Sequence, residues 1–354
     1  MAKSLKKSSD SERHLPSEVL FMVLVLLPTK LLLQMRSVCK EWRDVISDCS
    51  FIKAHLDRAN DIHNNSLKRY INNNADWMRS FFLEDPGTMH QLTVPMKDFL
   101  PRVEILASCN GLLLLGDDFN CYYLWNPSTR LLKPFNGPSV YRDELRNFAL
   151  GYDATTKAYK VVRIVRFTGG RFLGYQKNVL HPRFNDDDST TASVYNIKTE
   201  KWVEIEHFPY VVCGNAQGVT VNGAPHWVMY REHSANDQVI YPVIVCFDLV
   251  EDRFKEILKP DWLDDSSKFE YGVFEGKLCF VRYIAEQKLE VWMMQEYGES
   301  WFNVSSLVDL ASFPLPGCCD QPLGYFGTMA FNEALYVESL VSPFGGDDNS
   351  DMIG

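Results

Sequence analysis

The sequence predicts a mainly β protein with a small α-helical segment at its N-terminus, and three observations lead to that reading. Between residues 15 and 56 apolar side chains recur at helical spacing, interrupted by proline. From about residue 103 the pattern changes to short alternating apolar stretches, punctuated by Asn-Gly, Glu-Gly and Asp/Asn-x-x-Thr turns, which is the signature of hairpins. The composition, 46% hydrophobic and 23% charged over 354 residues, is that of a folded chain with room for one small and one large domain.

The helical segment reads LPSEVLFMVLVLLPTKLLLQMRSVCKEWRDVISDCSFIKAHL, and its punctuation predicts three short helices. Pro16 suits a first helical position, where a missing N–H costs nothing, and Glu18 complements the positive end of the helix dipole. Leu20, Val23, Leu24 and Leu27 then follow at helical spacing. Pro28 stops the run and Thr29 restarts it, for a second helix to about Arg36 that presents Leu32, Leu33 and Met35. A third carries Val38, Trp42, Val45 and Ile46.

About forty-five residues seldom bury enough surface to offset their ordering entropy without disulfides, metal or a partner. The stretch Val19 to Leu27 is apolar on more than one face. Part of that surface must be covered by the downstream domain or by another protein.

Leu15-Pro16, Leu27-Pro28, Arg36, Val38, Cys39, Lys40, Trp42 and Ile46, closing with Phe51 and Leu56, resemble the F-box, with its spacing and without a gap. Gln34 and Met35 replace a basic residue followed by Phe, and Val25 a polar or basic residue. The resemblance implies that the segment clasps a Skp adaptor, which connects to a cullin and its RING subunit. It assigns the adaptor contact to Leu15, Pro16, Val19, Leu20, Leu24, Leu27, Pro28, Leu32, Val38, Cys39 and Trp42.

Two kinds of segment recur in the body. One is a turn glycine followed by an apolar strand, as at Asn110-Gly111, Asn222-Gly223 and Glu275-Gly276. The other is a strand, a polar turn and a bulky aromatic, as in 122–135, 193–205, 245–257 and 291–304. The first precedes the second in modules near 103–135, 217–257 and 270–304, and a further unit spans 147–205. Modules of this length, built from short antiparallel strands, predict propeller blades, each burying a face only against its neighbour. The expected domain is a β-propeller-like repeat of five or six blades, with first outer strands from 77–95.

Ser108-Cys109-Asn110-Gly111-Leu112, Trp125-Asn126-Pro127-Ser128-Thr129-Arg130, Gly151-Tyr152-Asp153, Tyr159-Lys160-Val161-Val162, Asn222-Gly223 with His226-Trp227, Phe247-Asp248 and Val291-Trp292 resemble, in order, the F-box-associated domain of plant F-box proteins, a relative of the kelch propellers. The expected divisions are 1–13 as a disordered N-terminus, 14–57 as the F-box, 58–100 as linker and first outer strands, 101–342 as the propeller-like domain and 343–354 as a flexible tail.

Net charge is −10, and residues beyond 56 carry 27 basic side chains against 40 acidic. An acidic body disfavours nucleic acid and anionic membrane and steers a basic protein partner favourably. Nine cysteines, an odd number with no CxxC, read as reduced thiols. The polar N-terminus lacks a secretory apolar region and no run spans a bilayer, so the cytosol or nucleus is expected.

No catalytic constellation stands out: there is no G-x-S-x-G, Walker loop, G-x-G-x-x-G or HExxH, and neither metal nor cofactor is expected. His226-Trp227 reads as packing and Cys318-Cys319 as loop residues. The polar insertion from Thr168 to Thr191 is the candidate for holding an otherwise unknown target protein. The resemblance therefore implies a non-catalytic target receptor of an SCF-type ubiquitin ligase. A propeller that binds a small molecule or glycan, and an F-box scaffold with no degradative role, remain alternatives.

Overall fold

The computed structural model of the protein describes residues 16–61, 66–74, 77–82, 85–92, 103–117, 120–138, 144–167, 189–212, 218–232, 240–264, 269–274, 276–285, 288–304 and 333–344. Four helices come first: α1 (Ser17–Leu24), α2 (Thr29–Met35), α3 (Lys40–Ser47) and α4 (Cys49–Asn60). Pro16 and Pro28 precede α1 and α2 in extended conformation, as their fixed φ favours. The fourth helix was not expected as a separate element. It arises because Asp48 leaves the helical region, and its carboxylate accepts from the Ser50 and Phe51 amides, at 2.8 and 3.4 Å. That is an N-cap, so one run becomes two helices.

Five small antiparallel sheets follow, the lower of the two blade numbers expected. Blade 1 contains β1 (Lys68–Asn74), β2 (Trp77–Phe82) and β3 (Asp85–Leu92). Blade 2 is β4 (Val103–Cys109), β5 (Leu112–Asp117), β6 (Cys121–Trp125) and β7 (Leu132–Asn136). Blade 3 is β8 (Glu144–Asp153), β9 (Ala158–Phe167), β10 (Ser189–Asn196) and β11 (Lys201–Ile205). In blade 4, β12 (Tyr210–Val211) and β13 (Val219–Val221) both pair with β14 (Ala224–Glu232), which continues to β15 (Ile240–Asp248) and β16 (Arg253–Ile257). Blade 5 is β17 (Phe269–Phe274), β18 (Lys277–Ala285), β19 (Lys288–Met294) and β20 (Trp301–Asn303). The last strand, β21 (Glu333–Val337), returns to pair with β1, Ile71 opposite Ala334, and completes blade 1.

The turns explain the repeat. Asn110 and Gly111 have φ of 52° and 78°, and Asn222 and Gly223 have 51° and 78°, the left-handed pair that a two-residue hairpin turn requires. Asn126, Asp153, Asn196 and Asp248 each accept from the amides two and three residues on. The fourth residue after each, Arg130, Lys157, Glu200 and Asp252, has positive φ. These are Asx turns, and they are why the Asp/Asn-x-x-Thr pattern recurs.

Blades pack through apolar faces. Phe135 of blade 2 stacks on Tyr195 of blade 3 with centroids 4.5 Å apart. Trp227 of blade 4 shares a core with Val162 and Ile164 of blade 3. Lysines join neighbouring blades as well: Lys133 donates to Ile197 O at 3.1 Å, and Lys160 to Leu249 O at 2.5 Å and Asp252 Oδ1 at 2.6 Å. Each of these two ammonium groups satisfies carbonyls of a turn in the next blade.

Candidate functional site

The helical segment is amphipathic in two senses. Leu20, Leu24 and Leu32 are 3%, 1% and 0% exposed, and they form a core with Ile46, Phe51 and Leu340. Phe21 meets Phe51 edge to face at 5.2 Å. His55 is buried too, its Nε2 3.0 Å from Leu27 O, and burial lowers its pKa below the usual imidazole range.

A second stripe points outward. Val19 is half-buried, and Met22, Val23 and Leu26 are 59%, 53% and 59% exposed. Their spacing of three, four and seven residues places them along one side of α1 and the turn that follows it. Val38, between α2 and α3, is also 59% exposed. Single exposed apolar residues need no explanation, but three on one helix side constitute a face.

Of the residues expected to touch an adaptor, Pro16, Pro28, Val38 and Cys39 are exposed, and Val19, Leu27 and Trp42 are half-buried. Leu20, Leu24 and Leu32 lie inside the chain's own core. Leu15 falls outside the described residues. Met22, Val23 and Leu26 are exposed but stand outside the expected contact set, although the Val19-Met22-Val23-Leu26 spacing is legible beside the buried Leu20-Leu24 pair.

The insertion expected to hold a target is residues 168–188, which lie outside the described residues. Ser189, Thr190 and Thr191 are corrected from loop to strand, pairing with Phe167, Arg166 and Val165. Its flanks emerge at the end of blade 3 opposite the β8–β9 turn. That turn lies on the helical side, since Asn60 bonds the neighbouring Asn110 turn at 3.4 Å and Tyr152 N bonds Gly223 O at 3.1 Å, in line with the other first turns of the blades. The helices and the Phe167 and Ser189 ends of β9 and β10 therefore lie at opposite ends of the blades. Thr190, Thr191, Glu204, Ile205, Glu206, His207 and Phe208 line an open groove of about 460 Å³.

The remaining candidates are structural. His226 is fully buried, its Nε2 2.6 Å from the Tyr297 hydroxyl and its Nδ1 2.8 Å from Ala224 O, which ties blade 4 to blade 5. Among the described residues no cluster of three or more His, Cys, Asp or Glu could hold a metal ion. No described helix is long and apolar enough to cross a membrane. Cys318 and Cys319 lie outside the described residues.

Residues 84–326 match the family model described as the F-box associated beta propeller domain, and residues 13–58 match the F-box-like family. The chain belongs to the F-box-associated β-propeller family of F-box proteins. Three relatives from Arabidopsis thaliana agree with the assignment over most of this F-box protein's length. The F-box protein At3g07870 is 27% identical, covering 87% of this chain and 76% of its own. The F-box protein CPR1 is 25% identical, covering 82% and 72%, and the F-box/kelch-repeat protein At3g23880 is 24% identical, covering 86% and 83%. A solved structure titled "Structure of YjhT" aligns to the F-box protein with a TM-score of 0.36 at 13% identity, covering 58% of this chain and 65% of its own.

Proposed function

We propose that this F-box protein is the substrate-recognition subunit of an SCF-type ubiquitin ligase. The F-box holds a Skp adaptor and, through it, the cullin and RING subunit. The propeller holds a target protein for ubiquitination and proteasomal degradation, in the cytosol or nucleus. The subunit itself is non-catalytic, and acts by raising the effective concentration of a target lysine near the loaded conjugating enzyme.

The observation that carries this reading is the outward apolar side of α1 within the segment that matches the F-box. Burying such a side chain stabilises a complex by roughly 1.5–3 kcal/mol. The proposed contact surface is Leu15, Pro16, Val19, Leu27, Pro28, Val38, Cys39 and Trp42, with Met22, Val23 and Leu26 added. Leu20, Leu24 and Leu32 serve it indirectly, by fixing the helices. The target surface is proposed at the Thr168 to Thr191 segment.

The test is a titration of the full-length protein with purified Skp adaptor. Met22→Asp and Leu26→Asp should each weaken binding at least tenfold with an unchanged unfolding midpoint. Full affinity in both variants rejects the interface. Proximity labelling with and without proteasome inhibition should then reveal neighbours that accumulate; labelled neighbours that never accumulate favour the non-degradative scaffold.

A further inference from the structure

Residues 338–344, which follow the last strand, make contacts that no ordinary tail needs. Leu340 is 7% exposed and sits in the core of the helical segment with Leu20, Leu24, Leu32, Ile46 and Phe51. Its neighbour Val341 is buried in a different core, with Leu112, Leu114 and Tyr159 of blades 2 and 3. Ile52 of α4 packs against both.

Polar contacts hold residues 338–341 of this stretch. Asn126 Nδ2 donates to Ser339 O at 3.1 Å and to Val341 O at 2.8 Å, and Ser339 Oγ donates to Asn110 O at 3.1 Å. Glu338 N donates to Leu67 O at 2.8 Å, and the Glu338 carboxylate pairs with Arg69 at 2.6 Å with both side chains largely shielded from water. Gly111 leaves space for the segment: a Cβ there would fall 2.2 Å from Ser339 Oγ and 2.6 Å from Val337 O.

We infer that residues 338–344 are a clasp that completes the core of the four-helix segment, so that the helices are ordered only when this segment has docked on the blades. Four short helices bury too little by themselves, and the missing apolar residue comes from 289 to 320 positions away. The strand feeding the clasp, β21, is also the one that completes blade 1. Helical order thereby reports on a finished propeller. As far as adaptor capture is concerned, this rests on the function proposed above: a chain whose 338–344 segment is undocked would present no competent docking face, and would not be recruited as an empty receptor.

Hydrogen exchange on the full-length chain without adaptor tests the clasp independently of that function. Leu340→Asp should accelerate exchange of α1 and α2 amides at least tenfold, while amides of β18 and β19 in blade 5 keep wild-type protection. Asn126→Ala, which frees the clasp without placing a charge in the core, should do the same to a smaller extent. Unchanged helical protection in both variants overturns the inference. Equal acceleration in helices and blade 5 overturns it too, since the segment would then be only part of the general framework. In the parallel titration Leu340→Asp should lose at least tenfold in adaptor affinity relative to wild type. A wild-type chain that ignores the adaptor sinks the ligase reading and leaves the exchange result standing.

Discussion

The side-chain amide of Asn126 donates to the main-chain carbonyl of Val341 at 2.8 Å, joining two residues 215 positions apart. The same side chain accepts from the amides of Ser128 and Thr129 with its Oδ1. One buried asparagine thus closes a blade turn and holds the returning C-terminal segment. Asn126→Ala loses both functions and leaves buried carbonyls of Ser339 and Val341 short of a donor. The expected cost is about 2–4 kcal/mol of local stability, read from the exchange protection of the blade 2 turn and of α1 and α2. Asn126→Asp retains the turn acceptor but sets a carboxylate oxygen against two buried carbonyls, and should cost at least as much as alanine.

Gly111 and Gly223 share a φ of +78° and occupy equivalent turns, yet their surroundings differ. At Gly223 a Cβ would find only Tyr152 O at 3.6 Å, so Gly223→Ala carries the left-handed strain alone, about 1 kcal/mol. At Gly111 it would meet Ser339 and the Val337 backbone. Gly111→Ala should therefore cost at least about 2 kcal/mol more, read as a difference in unfolding free energy between the two variants. Equal costs would mean that the C-terminal segment yields freely there.

Much of this was legible in the amino-acid sequence, for local reasons. The turns at Asn110-Gly111 and Asn126-x-x-Thr129 fix their own conformation, so the repeat and the boundaries of blades 2 to 5 could be read from residue order. Blade 1 was harder, because its inner strand β21 pairs with β1 across more than 260 residues, and nothing within Glu333–Val337 names that partner. The helical segment was legible as helices but not as faces. Val19 and Leu20 are both apolar, so periodicity alone cannot tell which stripe is covered. The partner that decides it, Leu340, lies at the other end of the chain.

Leu24 and Leu26 separate the two roles. Leu24 is 1% exposed within the core, and Leu24→Ala should destabilise the helical segment by about 2–5 kcal/mol and weaken adaptor binding as a consequence. Leu26→Ala, at an exposed position, should leave stability within about 0.5 kcal/mol and weaken adaptor binding directly. Circular dichroism melts beside adaptor titrations distinguish them. An equal loss of fold in both variants would contradict the outward stripe.

His226 makes stability depend on pH. Burial lowers its pKa from 6.5 to about 4, partly opposed by the bond to Ala224 O. Around it, burial pushes the Tyr297 hydroxyl and the Cys246 thiol up, so both stay neutral, while Asp248, held at about 2 by Lys255, stays ionised. Above pH 6.5 the ring is neutral in folded and unfolded chains, and its contribution is fully present. As pH falls from 6.5 towards 4 the unfolded chain binds a proton that the folded chain refuses, and stability drops by up to about 1.4 kcal/mol per pH unit. Urea unfolding at pH 7.5 and 5.0 should show a loss of about 2 kcal/mol in wild type beyond that in His226→Gln, since titrations elsewhere are common to both.

Trp202 and Trp301 test whether the blades are joined as independent units. Each sits on the outermost strand of its blade and donates its indole N–H to the end of the preceding blade, Trp202 to Asn136 O at 2.9 Å and Trp301 to Leu258 O at 2.8 Å. Trp202 packs with Tyr122 and Tyr195, and Trp301 packs with Phe280, so phenylalanine retains part of the ring contact and removes the donor. Each Trp→Phe change should cost about 1–2 kcal/mol. The pairs belong to the junctions between blades 2 and 3 and between blades 4 and 5, with no shared partner, so the double variant should equal the sum within about 0.5 kcal/mol. A larger discrepancy would show that strain at one junction travels through blades 3 and 4 to the other, and that the ring deforms as a unit.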